Sequence, residues 1–224
     1  VKVGLEPIKE SDWLEIDDLF NSEIELKKDL YDSHFNDIHK EVKESYEPQV
    51  ELLDVLETHL EQYHPNHKIT SVADSLPLKN ASLMVQEDLV LMLPRGEEYF
   101  LGAASLCAPS NWSLKEKFKN SLLGLHIHVP AYEKEIGSRV NNFFNNLPME
   151  KIFQRFNWSI YENSKLFQPA TSKSHIERSK TITEDNAGDR LFIRVERQTI
   201  RRLPKTQAIV FTIRVHINPL FSLK

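Results

Sequence analysis

Two stretches near the end of the chain alternate between apolar and polar residues, and this pattern constrains the fold more than any other feature. The first stretch runs from Arg190 to Leu203, and the second covers residues 209–217. The segment Leu203-Pro204-Lys205-Thr206 separates them. Alternation with a period of two is typical of β-strands, and proline in a short polar link indicates a turn. The pattern therefore predicts two consecutive strands of an antiparallel sheet.

Arg197 continues an apolar row of the first of these strands. One parity of the strand holds Leu191, Ile193, Val195 and Arg197, and the other holds Phe192, Arg194, Glu196 and Gln198. We expect the row with Arg197 to face inward, where an unpaired guanidinium would be costly. Two interpretations follow: Arg197 forms an internal ion pair with a glutamate of the sheet, or it faces a pocket and its contents.

The first 66 residues predict helices rather than strands. Ile24, Leu26, Leu30 and Tyr31 suggest one helix with a modest apolar stripe. A second helix is expected from Pro48 to the segment His64-Pro65-Asn66, because proline is favoured in a first helical turn and disrupts later ones.

The middle of the chain predicts a hairpin, a helical segment and a third strand. The hairpin pairs Leu83–Met92 with Tyr99–Cys107 around the turn Pro94-Arg95-Gly96. The following segments are expected to be a short helix, an amphipathic helix, a strand and a long polar loop, in that order: Ser113–Leu123, Glu133–Leu147, Phe153–Tyr161 and Ser164–Gly188.

This order of elements predicts an α+β fold with a five-stranded antiparallel sheet. Two strands, a helical middle segment and three consecutive strands are also the order of a PAS domain. We expect one domain over residues 1–224, in which residues 1–70 form a helical N-terminal extension.

Composition excludes several classes of partner. The formal net charge is −5, which gives no basic surface for a nucleic-acid backbone. No apolar run is long enough to span a bilayer, and the first residues lack the apolar core of a signal peptide. Cys107 is the single cysteine, so no intramolecular disulfide can form. These features favour a cytoplasmic protein that binds neither nucleic acid nor membrane.

Common catalytic motifs are missing from the sequence, and two histidines are the main candidates for chemistry. The chain has no Walker loop, no Rossmann glycine pattern, no nucleophile elbow and no zinc helix. His126 and His128 point the same way if their segment is extended, and Pro130 follows just before a predicted helix. They could be core histidines, metal ligands or an axial ligand of a haem. Cys107 competes as a thiolate ligand, although its apolar neighbours favour a buried, inert thiol.

Several segments, taken in order, resemble the haem-dependent oxidative N-demethylase family. They extend over nearly the whole chain, and Glu196-Arg197-Gln198-Thr199 with Arg201-Arg202-Leu203-Pro204 is the most specific of them. The others are Val3–Pro7, Trp13–Asp17, Gln86–Asp88, Cys107–Trp112, Leu125-His126 with Val129-Pro130 and Tyr132, and Asn157-Trp158. His126 stands at the histidine of the family pattern Ile-His-x-Pro-Val-Pro, whereas His128 replaces its first proline.

The resemblance implies a haem-binding PAS fold and a monooxygenase. Family members oxidise a small secondary amine, dimethylamine, with oxygen and electrons from a separate reductase. The implied cofactor is haem b, with His126 as its iron ligand and His128, which departs from the family pattern, as the alternative. The electrons would come from an NADPH-dependent flavin/iron–sulfur reductase. Since nothing in the sequence encodes a flavin or iron–sulfur site, a partner protein must supply the electrons.

Four residues of the predicted strand Arg190–Leu203 are candidates for the site that the resemblance implies. Arg197 and Gln198 would form its catalytic, polar side, and Arg194 or Arg201 would bind the haem propionates. Adjacent strand residues face opposite ways, so Arg197 and Gln198 can share one pocket only if a bulge or strand end intervenes. The alternatives are a haem-binding PAS sensor of gas or redox state without turnover, and a module without cofactor.

Overall fold

A computed structural model describes residues 4–67, 75–96, 98–110, 112–121, 124, 137–169 and 180–223. Seven antiparallel strands form its sheet in the order β1-β5-β6-β7-β3-β4-β2. The strands are β1 (Glu6–Ile8), β2 (His39–Glu41), β3 (Asp88–Arg95), β4 (Glu98–Ser105), β5 (Ile152–Tyr161), β6 (Phe192–Arg202) and β7 (Ile209–Pro219). The prediction of an α+β fold with an antiparallel sheet is confirmed.

The described residues form seven α-helices, of which two are long. They are α1 (Phe20–Ser33), α2 (Phe35–Ile38), α3 (Tyr46–Tyr63), α4 (Pro77–Ser82), α5 (Leu114–Lys117), α6 (Gly137–Asn145) and α7 (Ala187–Arg190). Proline lies in the first turn of α3 and at the start of α4, where a missing N–H costs no intrahelical hydrogen bond. None of the described helices is long and apolar enough to cross a membrane.

The predicted number of five strands is wrong, because two further strands come from the N-terminal extension. β1 pairs with the start of β5, and β2 pairs with the end of β4. Each is only three residues long, too short to show a period of two in the sequence. The extension therefore contains helices, as predicted, but it also supplies both edge strands of the sheet.

The start of the first predicted hairpin strand is also corrected. The strand begins at Asp88 rather than at Leu83, and α4 precedes it. Every residue from Leu83 to Leu93 is buried. The apolar residues of this region therefore do not show which side chains point to which face, and the sequence pattern could not locate the start of the strand. The hairpin itself, with its turn at Gly96, is confirmed.

Each face of the sheet carries its own hydrophobic core. The extension face packs against α3, α4 and the N-terminal segment through a cluster that includes Trp13, Leu56, Leu78 and Leu91. The middle face packs against residues from the middle of the chain, and its cluster includes Val90, Leu114, Phe144 and Ile200. Because paired residues of neighbouring strands point to one side, the register assigns every β6 side chain to one of these two faces.

Candidate functional site

The structure separates Arg197 from Gln198. In β6, Arg197 lies opposite Phe156 of β5 and Arg214 of β7, while Gln198 lies opposite Arg155 and Ile213. The register of β6 with both neighbours is continuous at this point, so no bulge turns the two side chains to one side. Gln198 belongs to the middle face and Arg197 to the extension face.

Arg197 is buried, as predicted, and it holds the N-terminal segment. Its Nε donates to Gln154 Oε1 at 3.0 Å, and its Nη1 donates to the Trp13 carbonyl at 3.1 Å. Its Nη2 donates to the Asp12 carbonyl, and Nε lies 3.5 Å from Glu15 Oε1. Arg197 therefore pairs with a glutamate, as the first interpretation predicted. That glutamate, Glu15, lies in the N-terminal segment rather than in the sheet.

Arg201 lies on the same face and contacts the same segment. Its Nη1 donates to Glu10 Oε1 at 2.6 Å, and its guanidinium stacks 4.2 Å from the Trp13 ring. Glu10 also lies 3.5 Å from Nδ1 of His59. Its carboxylate has a pKa below the ordinary value, mainly because of His59, with a further contribution from Arg201.

The middle face of β6 carries a polar network centred on Glu196. Ser110 donates its hydroxyl to Glu196 Oε1, and Gln198 donates its Nε2 to Glu196 Oε2 at 2.9 Å. Arg194 Nε donates to Ser110 Oγ at 2.8 Å. The structure thus brings Arg194 and Gln198 into one network, whereas Arg197 and Arg201 lie on the opposite face.

Arg194 is buried completely, and backbone carbonyls take most of its donors. Its Nη1 donates to the Leu166 carbonyl at 3.2 Å, and its Nη2 donates to the Ala108 carbonyl. Burial lowers the pKa of Arg194, and the charge of Glu196 opposes that shift. The side chain fixes the loops at Ala108 and Leu166 against the sheet.

Asp88 holds the other side of the Ala108 loop. Its carboxylate accepts from the backbone N–H of Cys107 at 2.7 Å and of Ala108 at 2.9 Å. Burial raises the pKa of Asp88 to about 6, while Lys27 and these two N–H donors act in the opposite direction. The polar network on β6 is therefore continuous, through the Ala108 loop, with a buried carboxyl at the start of β3.

Arg155 is a candidate that sequence reasoning missed. It lies opposite Gln198 in the register of β5 and β6, so its side chain shares the middle face. No described residue accepts from its buried Nε–H, and a buried donor without an acceptor is costly. The signal was present in the sequence, since Phe153, Arg155 and Asn157 alternate within the strand that we predicted.

Apolar side chains next to this network are only half-buried. Phe153, Phe211 and Ile213 lie on the middle face and pack at the margin of its core. Ile213 and Arg155 flank Gln198 on its two sides, in β7 and β5. Half-buried aromatic and aliphatic groups beside the Arg155 guanidinium fit a flat apolar group that carries carboxylates, such as a haem with its propionates.

The predicted iron ligand lies outside the described residues, and so does His128. Cys107 is buried, as expected, and burial raises the pKa of its thiol to about 12. A neutral thiol in such a setting is a poor metal ligand, because the thiolate is the form that binds. Within the part of the chain that the structure describes, no three histidine, cysteine or acidic side chains are grouped to hold a metal ion.

The model of the family described as haem-dependent oxidative N-demethylase, alpha subunit-like, matches residues 4–224. The match covers nearly the whole chain, including β6 and the polar network on its middle face. The protein is therefore a member of a haem-dependent oxidative demethylase family. This chain belongs to the haem-dependent oxidative N-demethylase, alpha subunit-like family.

Proposed function

We propose that the protein is a haem-dependent monooxygenase that removes a methyl group from a small secondary amine such as dimethylamine. The family match over residues 4–224 carries this proposal. Haem b would supply the oxygen chemistry, and a separate reductase, NADPH-dependent with flavin or iron–sulfur centres, would supply the electrons. The cytoplasm, which also supplies NADPH, is the compartment that we propose.

We propose His126 as the iron ligand and the middle face as the haem surface. The half-buried apolar residues of β5 and β7 support this choice, since a porphyrin needs an apolar surface that excludes water. Arg155 supports it too, because a propionate would give its buried Nε–H an acceptor. Arg194 remains a second candidate for a propionate, although Ser110 and backbone carbonyls already accept from it. Arg201 is a third, although it contacts Glu10 and lies on the extension face, opposite to the proposed haem surface.

Gln198 is the residue that we propose to bind the amine. Its Nε2 donates to Glu196, which orients the side chain and turns Oε1 away as an acceptor. An amine N–H or ammonium group is a donor and would match that oxygen. Glu196 is buried beside it, and its carboxylate would attract a cationic amine in competition with Arg194 and Arg155 on the same face.

Arg197 remains a proposed catalytic residue, but its contacts define a strict test of that role. A catalytic cation must reach the reacting group, whereas Arg197 is bound to Gln154, Asp12, Trp13 and Glu15. Through these contacts it could act on the site only by positioning β6. The comparison of variants at Arg197 and Gln198 given below separates these roles.

A haem-binding PAS sensor is the alternative function. We propose that β3–β7 form a PAS-like core, with β1 and β2 added at its edges. Support comes from the order of hairpin, helical middle and three consecutive strands. Such a core would serve a gas or redox sensor equally well, since fold alone does not set function.

Two measurements test the proposal. Protein purified from haem-replete cells should show a Soret band with about one haem per chain, and folded protein without the band would overturn both haem functions. Dimethylamine added to the haem protein with an electron donor and oxygen should then yield formaldehyde. Haem binding without formaldehyde from any small secondary amine would leave the sensor as the better assignment.

A further inference from the structure

The free edge of the sheet at β5 carries the largest exposed apolar side chains of any described strand. Phe156, Trp158 and Ile160 are 54%, 65% and 45% exposed. They alternate with Asn157 and Ser159, so all three project from the extension face. Val195 and Ile193 lie opposite Trp158 and Ile160 in β6 and continue the same apolar surface.

The backbone at this edge also lacks a partner strand in the described part of the chain. β1 covers only residues 152–154 of β5, and β6 lies on the other side. Pro7 has no N–H and lies opposite Phe153, so these two residues form a non-hydrogen-bonded pair. The residues on either side of Phe153, Ile152 and Gln154, therefore form the hydrogen bonds to β1. The alternation then directs the N–H and C=O groups of residues 156, 158 and 160 to the open edge.

This edge has none of the features by which proteins prevent pairing between edge strands. From Phe156 to Ile160 the strand contains no charged residue, no proline and no glycine, and its register with β6 shows no bulge. Natural edge strands are usually short, charged, kinked or covered. A long, neutral, apolar edge is the kind that accepts another strand.

We propose that two copies of this chain pair through β5, antiparallel, about a twofold axis at Trp158. The residues themselves indicate a second copy as the occupant, because this register is self-complementary. Trp158 meets Trp158 of the other copy, Phe156 meets Ile160, and Asn157 meets Ser159. Arg155 meets Tyr161, and no like charges are opposed. Moving the twofold axis to Asn157 would place Gln154 opposite Ile160 and leave two apolar pairs instead of three.

Such pairing joins the two sheets into one continuous fourteen-stranded sheet. The three pairs formed by residues 156, 158 and 160 would be hydrogen-bonded, with Cα atoms about 5.5 Å apart. The apolar side chains of both copies would lie on one side of the joined sheet. An isologous interface of this kind closes after two copies and does not propagate. The proposal is independent of the demethylase assignment.

The oligomeric state of the full chain, with any haem that it retains, tests this interface. We expect the wild-type protein to have the mass of a dimer in light scattering and sedimentation at micromolar concentrations. Trp158→Lys places two ammonium groups opposite each other and should raise the dissociation constant at least tenfold. Leu19→Lys is the matched control, because Leu19 is 56% exposed at the start of α1, outside the sheet. It should stay dimeric.

A cysteine scan tests the register. Cys107 is buried, so an introduced cysteine is the accessible thiol. Trp158→Cys should form a disulfide between copies under mild oxidation, since its Cα atoms fall in the bridging range. Asn157→Cys should not, because residue 157 would lie diagonal to its own copy, more than about 7 Å away. A monomeric wild type, a Trp158→Lys variant as dimeric as wild type, or equal cross-linking at both positions would overturn the proposal.

Discussion

Arg197 and Gln198 are neighbours in the chain but face opposite sides of the sheet, and this makes them a matched pair for mutation. Arg197→Leu removes donors to the carbonyls of Asp12 and Trp13 and leaves Glu15 without that cation. We expect the free energy of unfolding to fall by about 3 kcal/mol and the melting temperature by about 6–12 °C. Denaturant and thermal unfolding measure both.

Gln198→Leu is the control for that experiment. Gln198 is only half-buried and its Nε2 has one partner, so stability should change by about 1 kcal/mol or less. Turnover should fall instead if Gln198 binds the amine. A catalytic Arg197 would add a loss of about a hundred- to a thousandfold in rate at wild-type haem content. Normal turnover of folded Arg197→Leu would exclude that role.

Because of Asp88, the free energy of unfolding should decrease as pH rises, which is the opposite of the usual effect of a carboxyl group. Burial raises the pKa of its carboxyl from 3.8 to about 6. The folded state therefore binds the proton more tightly than the unfolded state does. The resulting stabilisation is complete below the ordinary pKa and is lost as pH rises through about 6.

The measurement is urea unfolding of wild type and Asp88→Asn between pH 3.5 and 7. The difference between their unfolding free energies should shift against the wild type as pH rises through this window, and it should be constant above pH 7. The full change is about 3 kcal/mol, at roughly 1.4 kcal/mol per pKa unit. A difference that shifts in favour of the wild type would show that Lys27 and the N–H groups of Cys107 and Ala108 outweigh burial.

At the scale of elements, Glu51 ties α3 to the turn between β6 and β7. Its Oε1 accepts from the Lys205 N–H at 2.6 Å, and its Oε2 accepts from the N–H and hydroxyl of Thr206. Glu51→Ala should cost about 2–3 kcal/mol of unfolding free energy, because hydrogen bonds to a charged group are strong. Asp54→Ala, on the exposed side of α3, should change stability by less than about 0.5 kcal/mol. Equal effects of the two substitutions would show that the hydrogen bonds to Glu51 do not add to the free energy of unfolding.

The long strands were predictable because their pattern extends over many residues. The ends of β5, β6 and β7 all lie within two residues of the predicted bounds. β1 and β2 were not predictable, since three residues cannot display a period and their pairing is set by distant strands. Contacts between segments far apart in the chain, such as that of Glu51 with Thr206, leave no pattern in the neighbouring sequence from which they could be predicted.

The candidate site was predictable only in part, for a related reason. Parity correctly indicated that Arg197 is buried, but it gave no information on the burial of the other face of β6. In the structure Arg194 and Glu196 are buried there as well, because the loops at Ser110 and Leu166 supply their partners. In a sheet that is covered on both faces, charged residues of either parity can be buried. The position of the covering loops determines which of these residues are buried.

At the scale of the whole molecule, the N-terminal extension is part of the sheet rather than an appendage. β1 and β2 occupy its two opposite edges, and Arg197, Arg201 and Glu87 bind the segment between β1 and α1. We therefore expect a chain that lacks residues 1–70 to expose both edges and to aggregate. A folded, monodisperse product of that truncation, judged by circular dichroism and light scattering, would contradict this expectation.

Binding of haem should stabilise the whole fold, and two histidine variants test the ligand assignment. A ligand that binds only the native state at a thousandfold excess over its dissociation constant adds about 4 kcal/mol, or about 8–16 °C in melting temperature for a chain of this size. His126 stands at the histidine of the family pattern, whereas His128 stands at a proline. We therefore expect His126→Ala to lose the Soret band and this thermal shift. His128→Ala should keep both. The readouts are haem content and the melting temperature with and without added haem, which need no turnover. If His126→Ala kept the band and the shift, the iron ligand would have to be sought at His128 or, against the burial of its thiol, at Cys107.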